Sequence, residues 1–447
     1  MRGAWASIAV IGVGASALGL ARGGAGPTWG HQVDRASTGD APEFTEIEIR
    51  RILQHEWRAI PPDPTNRFAD DPRAAHFGQY LFFDTRFSAN GQVSCATCHD
   101  PAKGFADGLP LGKGLAELTR HSMTLWNVGR NRWFFWDGRI DTLWAQALQP
   151  FENAMEMGTN RVRVVRQIAS DPVLREAYEA LFGSLPGGEA MSQFPPDARP
   201  VPDDPDHPHH KAWESMPEEN REAVNHAFVN LGKAIAAYER RIVSRNAPFD
   251  RFVEGLRTGD AALRQALTPQ QQQGLRLFIG QANCRLCHFG PDFTDHEFHN
   301  NGVPPLRKGL PQDAGRFDGI GRLRSDPFRA ESSYSDDPTG PVAQRAGFLA
   351  RTPESWGQFR TPTLRNIGQT GPYMHQGQFE TLEDVVEFYS TLQGQVRIGH
   401  HQETILTALN LSTEEKADLV AFLKSLTGEP LPERLLLRPD DPRWLGD

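Results

Sequence analysis

Cysteine is nearly absent, with four residues in a chain of 447. All four lie in two C-x-x-C pairs. A disulfide inside either pair would close a very tight loop, so a disulfide framework is excluded. Cationic charge is short as well, and the net charge of −9 excludes nucleic acid as a partner. Beyond residue 20 no run is apolar enough to span a membrane. Alternating apolar and polar positions are few, which argues against a β fold. Glycine (42) and proline (34) are plentiful and predict long irregular loops around a limited set of helices. The length allows two or three domains.

What is present is a repeated motif. Cys95-Ala96-Thr97-Cys98-His99 and Cys284-Arg285-Leu286-Cys287-His288 both read C-x-x-C-H. Two thiols at this spacing bond to the two vinyl groups of one haem, and the histidine that follows ligates the iron. The main rival is one zinc site made from all four cysteines, but zinc has no use for a histidine at the end of each motif. Two covalently bound c-type haems are expected. Cys95, Cys98, Cys284 and Cys287 attach them, and His99 and His288 take the irons.

Met1-Arg2 precedes an uncharged run from Gly3 to Leu20 and a small-residue exit. This predicts a secretory signal peptide over residues 1–26, with an uncleaved anchor as the alternative. Export suits covalent haem attachment. It places the protein in the periplasm, with no membrane span once the leader is removed. An N-terminal haem domain is expected over 27–245 and a C-terminal one over 246–447.

Periodicity predicts helices over 45–57, 74–83, 141–151, 160–182, 221–245 and 269–278, with two more starting at Thr381 and Ser412. Trp133, Phe134, Phe135 and Trp136 read as a buried wall against a flat apolar ligand. Residues 184–220 are rich in proline and aspartate and read as a loop insertion. Within it His207, His209 and His210 offer nitrogens to a metal, although such a run is more often plain solvated loop. The class is mainly α, with one haem in each half.

These residues resemble the bacterial di-haem cytochrome c peroxidases and MauG-type enzymes over about residues 77–426. The likeness rests on the residues running from Leu81 to Ser88, on both haem motifs, and on Phe135-Trp136-Asp137-Gly138-Arg139. Gln146 and Glu156 follow Trp136 at ten and twenty residues. Gly290-Pro291-Asp292-Phe293-Thr294-Asp295 and Phe298-His299-Asn300 extend it. Arg360-Thr361-Pro362-Thr363-Leu364-Arg365-Asn366-Ile367 and Gly371-Pro372-Tyr373-Met374-His375 complete it.

The resemblance implies two cytochrome-c-like domains with long Gly/Pro-rich loops and a reactive N-terminal haem. It implies a second axial ligand on the C-terminal haem, fourteen residues after His375. Peroxidases of this family have Met there. This chain has Tyr389, as in the MauG-like subgroup, and Met374 is the only methionine after His288. A phenol oxygen favours oxidised iron more than a thioether does. The one histidine between His99 and Trp136 is His121, which does not match the family's displaceable distal ligand, so the N-terminal site is expected to be open. Thr370 and Pro372 match the family's calcium positions, while His121 stands where its calcium-binding Asn would be. Ala282 stands where MauG has a Trp for electron hopping.

By the same resemblance, Glu156 moves a proton between the peroxide oxygens, Gln146 positions the peroxide, and Trp136 carries electrons between the haems. The implied function uses hydrogen peroxide to reach a high-valent state (bis-Fe(IV) type) and oxidises a residue, with Trp expected, of a partner protein by long-range transfer. Within the MauG-like enzymes, the subgroup of methanobactin (copper-chelator) gene clusters, the MbnH type, fits best. The alternatives are a peroxidase fed by a small cytochrome or cupredoxin, and a plain electron carrier.

Overall fold

Thr45 and Glu48 open the first helix with a reciprocal cap, and helices carry the chain from there. The computed structural model describes residues 41–396 and 403–446; the expected leader over 1–26 lies outside them. Among the described residues the one sheet is a short antiparallel pair, Phe298–His299 with Phe359–Arg360. No helix there is long and apolar enough to cross a membrane. The chain is mainly α, as its patterning predicts.

Each half is built on two helices that meet at a glycine. Pro72–Phe83 packs on Glu218–Glu239, and a Cβ at Gly78 would sit 1.9 Å from the Ala234 carbonyl oxygen. Pro269–Ile279 packs on Thr413–Lys424, and a Cβ at Gly274 would sit 1.9 Å from that of Asp418. Only glycine allows backbones this close. Asp71 and Thr268 cap the leading helices, each with proline in the first turn. Each leading helix delivers the chain to a C-x-x-C-H motif.

Among the described residues two large apolar cores result. The first takes residues from 77–242 and adds Phe328 and Leu435. The second takes Ile52 and residues from 249–293 and 364–426. The chain ends cross over between them. Glu46–Leu53 sends Ile52 into the second core, a burial that contributes about 1.5–3 kcal/mol. The C-terminal segment returns to the first core. There Tyr238 Oη donates to the Leu435 carbonyl at 2.7 Å. Gln79 Nε2 donates to the Arg434 and Leu437 carbonyls, both at 2.6 Å.

Several expectations need correction. The first helix stops at Leu53, short of residue 57, because His55 turns into the core and Trp57 leaves to donate to the Ser244 carbonyl. The helix expected over 160–182 is two helices, Arg161–Ser170 and Pro172–Phe182. Pro172 lacks an amide hydrogen, and Asp171 caps the second helix by accepting from Val173 and Leu174. The helix expected over 221–245 runs earlier, from Glu218 to Glu239.

Residues 184–220 are not simply a loop. They hold a 3-10 turn, Gly188–Gln193, and a helix, Pro208–Glu214. Leu185, Met191, Phe194, Ala198, Trp213 and Met216 are buried in the first core. Single anchors separated by prolines leave no period to read. Helices Pro248–Thr258, Arg316–Ser325 and Pro341–Gly347 were also missed by periodicity.

Candidate functional site

One cavity of about 1200 Å³ joins the two motifs, beyond the ~300–1,000 Å³ of an ordinary small-molecule pocket. Cys98, His99, His121, Trp136, Gln146 and Glu156 line it from the first half. Cys287, His288, Thr370, Pro372 and Tyr389 line it from the second. Cys95 and Cys284 sit behind, packed on the first and second cores. His207, His209 and His210 lie elsewhere. His207 Nδ1 accepts from the His209 amide and His210 Nδ1 from the Val201 amide, so two of these rings spend a nitrogen on their own backbone.

The residues fit two haems. All four cysteines are unpaired. Among the described residues no metal-competent cluster gathers the four sulfurs, which disposes of the zinc rival. His99 Nδ1 donates to the Phe105 carbonyl at 3.1 Å, and His288 Nδ1 to that of Phe293 at 2.8 Å. Both bonds leave Nε2 for an iron. Burial lowers the pKa of both rings, so they are neutral, as ligation requires. The buried Arg360 adds a further sign. It donates to the Phe135 and Thr361 carbonyls, to Asn131 and to the Met123 sulfur, and no carboxylate among the described residues pairs with it. Burial lowers its pKa to about 10. A buried guanidinium without an anion is costly, and a haem propionate held in this cavity would supply one.

The first-half residues form a proton-handling corner. Glu156 is held by Asn153, whose Nδ2 donates to Oε1 at 2.7 Å. Burial raises the Glu156 pKa against the pull of Arg139. Arg139 stacks 3.5 Å above the Phe135 ring and pairs with Asp137. Gln146 Oε1 is buried without a protein partner, so it is available to a ligand. Trp136 is fixed by its Nε1, which donates to the His121 carbonyl at 2.9 Å.

Phe134, Phe135 and Trp136 form the expected aromatic wall. Trp133 does not join it. Its ring lies under Arg316 and Arg345 and beside Phe298.

His121, Thr370 and Pro372 do come together. His121 Nδ1 donates to the Leu109 carbonyl at 2.7 Å. Calcium takes ~6–8 oxygen ligands. A ring nitrogen with two neighbours falls short of that shell. Ala282 is buried in the second core.

The reading by motif missed an internal repeat that the backbone displays. Residues 124–150 and 363–389 follow one path. Asn127 and Asn366 are left-handed (φ 56° and 59°), as are Phe135 and Met374 (φ 64° and 72°). Bridges Phe134–Ile140 and Tyr373–Phe379 match. Thr142 and Thr381 then cap helices Leu143–Glu152 and Leu382–Thr391. In this register Thr124, Leu125, Asn127, Gly129, Gly138, Thr142 and Leu143 recur as Thr363, Leu364, Asn366, Gly368, Gly377, Thr381 and Leu382. Trp136 falls on His375, and Pro150 falls on Tyr389. Both of the last pair line the cavity. The second half therefore presents a phenol oxygen where the first presents a ring with no donor atom.

A family model described as di-haem cytochrome c peroxidase matches residues 72–258. The cytochrome-c peroxidase IdrP2 of Denitromonas iodatirespirans is 35% identical, covering 83% of this chain and 86% of that protein. The methylamine utilization protein MauG of Methylorubrum extorquens is 31% identical, covering 80% and 79%. Among solved structures, the diheme peroxidase BthA of Burkholderia thailandensis aligns with a TM-score of 0.58 at 25% identity, covering 87% and 93%. A MauG-like protein associated with microbial copper homeostasis aligns at 0.59 and 24%, covering 86% and 98%, and shows the same fold.

Proposed function

The chain belongs to the di-haem cytochrome c peroxidase family, and on that premise we propose that it is a MauG-like enzyme which oxidises a tryptophan of a partner protein by long-range electron transfer. It is a peroxide-dependent di-haem oxidoreductase. The observation that carries the finer reading is Tyr389. Its phenol reaches the cavity beside Cys287 and His288, in a half whose one methionine is Met374.

Cys95 and Cys98 would hold the first haem with His99 on its iron; Cys284 and Cys287 would hold the second between His288 and Tyr389. When bound, the haems supply the redox chemistry by which peroxide takes two electrons and two protons to become water. The chain's own groups do the rest. Glu156 carries a proton between the peroxide oxygens, which its raised pKa suits. The free Gln146 Oε1 orients the peroxide. Trp136 stands between the halves, its carbonyl accepting from the Arg360 amide at 2.8 Å. The partner protein is met in the periplasm, as the expected leader implies.

A second reading, a peroxidase fed by a small cytochrome or cupredoxin, is favoured by the name of the 35% identical relative. Electron paramagnetic resonance of the purified protein, followed by peroxide assays with and without reduced cytochrome c, separates the two. A high-spin first haem, an oxygen-ligated second haem and slow turnover with cytochrome support the MauG-like reading. Methionine ligation, or two low-spin haems, overturns it. Fast turnover with cytochrome establishes the second.

A further inference from the structure

Tyr389 has a dedicated neighbour. Asn301 Nδ2 donates to Tyr389 Oη at 2.9 Å, and among the described residues no acceptor takes the phenol's own proton. An oxygen that receives a donor and has no use for its hydrogen is arranged as an acceptor.

Asn301 is tied to the same element that carries Tyr389. Gln395 and Val396 follow helix Leu382–Thr391. Gln395 Nε2 donates to the Asn301 carbonyl at 3.1 Å, and the Val396 amide to the Gly302 carbonyl at 2.8 Å. The other side is anchored too. The Gly302 amide donates to Asn300 Oδ1 at 3.1 Å. His299 is clamped between Asp295 at 2.8 Å and Glu403 at 2.7 Å. The amide and the phenol are therefore fixed relative to each other by a closed circuit of hydrogen bonds. Pro150, the counterpart of Tyr389 in the first half, offers no side-chain oxygen for any such donor.

We infer that Asn301 is a positioning residue for the second haem's oxygen ligand: it locks the Tyr389 phenol and, by donating to its oxygen, limits the electron density that oxygen gives the iron. The inference rests on the proposed ligation by Tyr389. A donor on a ligating oxygen weakens its hold on oxidised iron and raises the potential; removing the donor lowers it.

The test uses the holoprotein and its Asn301→Leu, Asn301→Asp and Tyr389→Phe variants. Each is read by the tyrosine-to-iron charge-transfer band and by the midpoint potentials of both haems, with the first haem as internal control. Both Asn301 variants are expected to keep two attached haems, leave the first haem's potential in place, shift the band and lower the second haem's potential. Asn301→Asp keeps the side chain's shape but adds a charge that itself lowers the potential, so an unchanged band and potential in this variant overturn the role even if the leucine variant folds poorly. A band and second potential unchanged in both, while Tyr389→Phe abolishes the band, overturn the role of Asn301 alone. A band that survives Tyr389→Phe overturns the ligation itself.

Discussion

Glu239 and Glu156 are both buried carboxyls close to the first haem motif, and their surroundings separate them. Glu156 has Asn153 and Arg139 to steady its charge. Glu239 Oε2 has no partner, and burial alone pushes its pKa from 4.5 up to about 8. An unfolded chain releases this proton near pH 4.5, whereas the folded chain keeps it until about pH 8. The stability of the neutral form is therefore complete below pH 4.5 and is lost as pH rises towards 8. Thermal melts of Glu239→Gln and the parent should coincide near pH 4.5 and diverge towards pH 8, with the variant the more stable. A gap that stays constant with pH refutes a neutral Glu239. Among the functional residues, Cys, His and the carboxyls announce themselves in sequence by type and spacing. Arg360 and Asn301 do not, because what marks them is a missing anion and a phenol 88 residues away.

Among the elements, the insertion over 184–220 has the clearest consequence. A solvated loop would tolerate substitution of its large side chains. Trp213 is 5% exposed and packs in the first core, with the Arg161 guanidinium 5.6 Å from its ring. Trp213→Ala is expected to cost about 3–5 kcal/mol, seen as a lower urea midpoint at unchanged slope. A loss below about 1 kcal/mol would mark the segment as peripheral. The amphipathic helices were legible because their periods are long and capped, as with Thr268, Gln271 and Pro269. The insertion was not, since its buried residues come singly between turns. Nor was the break at Asp171-Pro172, where apolar spacing runs on while the backbone starts anew.

At the scale of the molecule, the two halves share a path and differ at Pro150 and Tyr389. A reading by motif finds two haem sites, and the repeat explains why they are unequal. The repeat is hidden in the sequence because its identities are scattered and its strongest shared features are backbone angles. The crossing of the chain ends binds the halves together. Truncation after Pro430 removes Leu435 and the carbonyls that receive Tyr238 and Gln79. It should lower the first step of thermal unfolding and leave the second haem's spectrum in place. A melt identical to the full chain's would show that this segment contributes nothing.

That crossing also sets an order in time. The ribosome finishes the helices around Cys95 long before residue 435 exists, so the first core waits, unsealed on one side, through the synthesis of the whole second half. The helix Glu46–Leu53 waits equally long for the core that receives Ile52. The first core is thus sealed only when the segment carrying Leu435 reaches Tyr238 and Gln79.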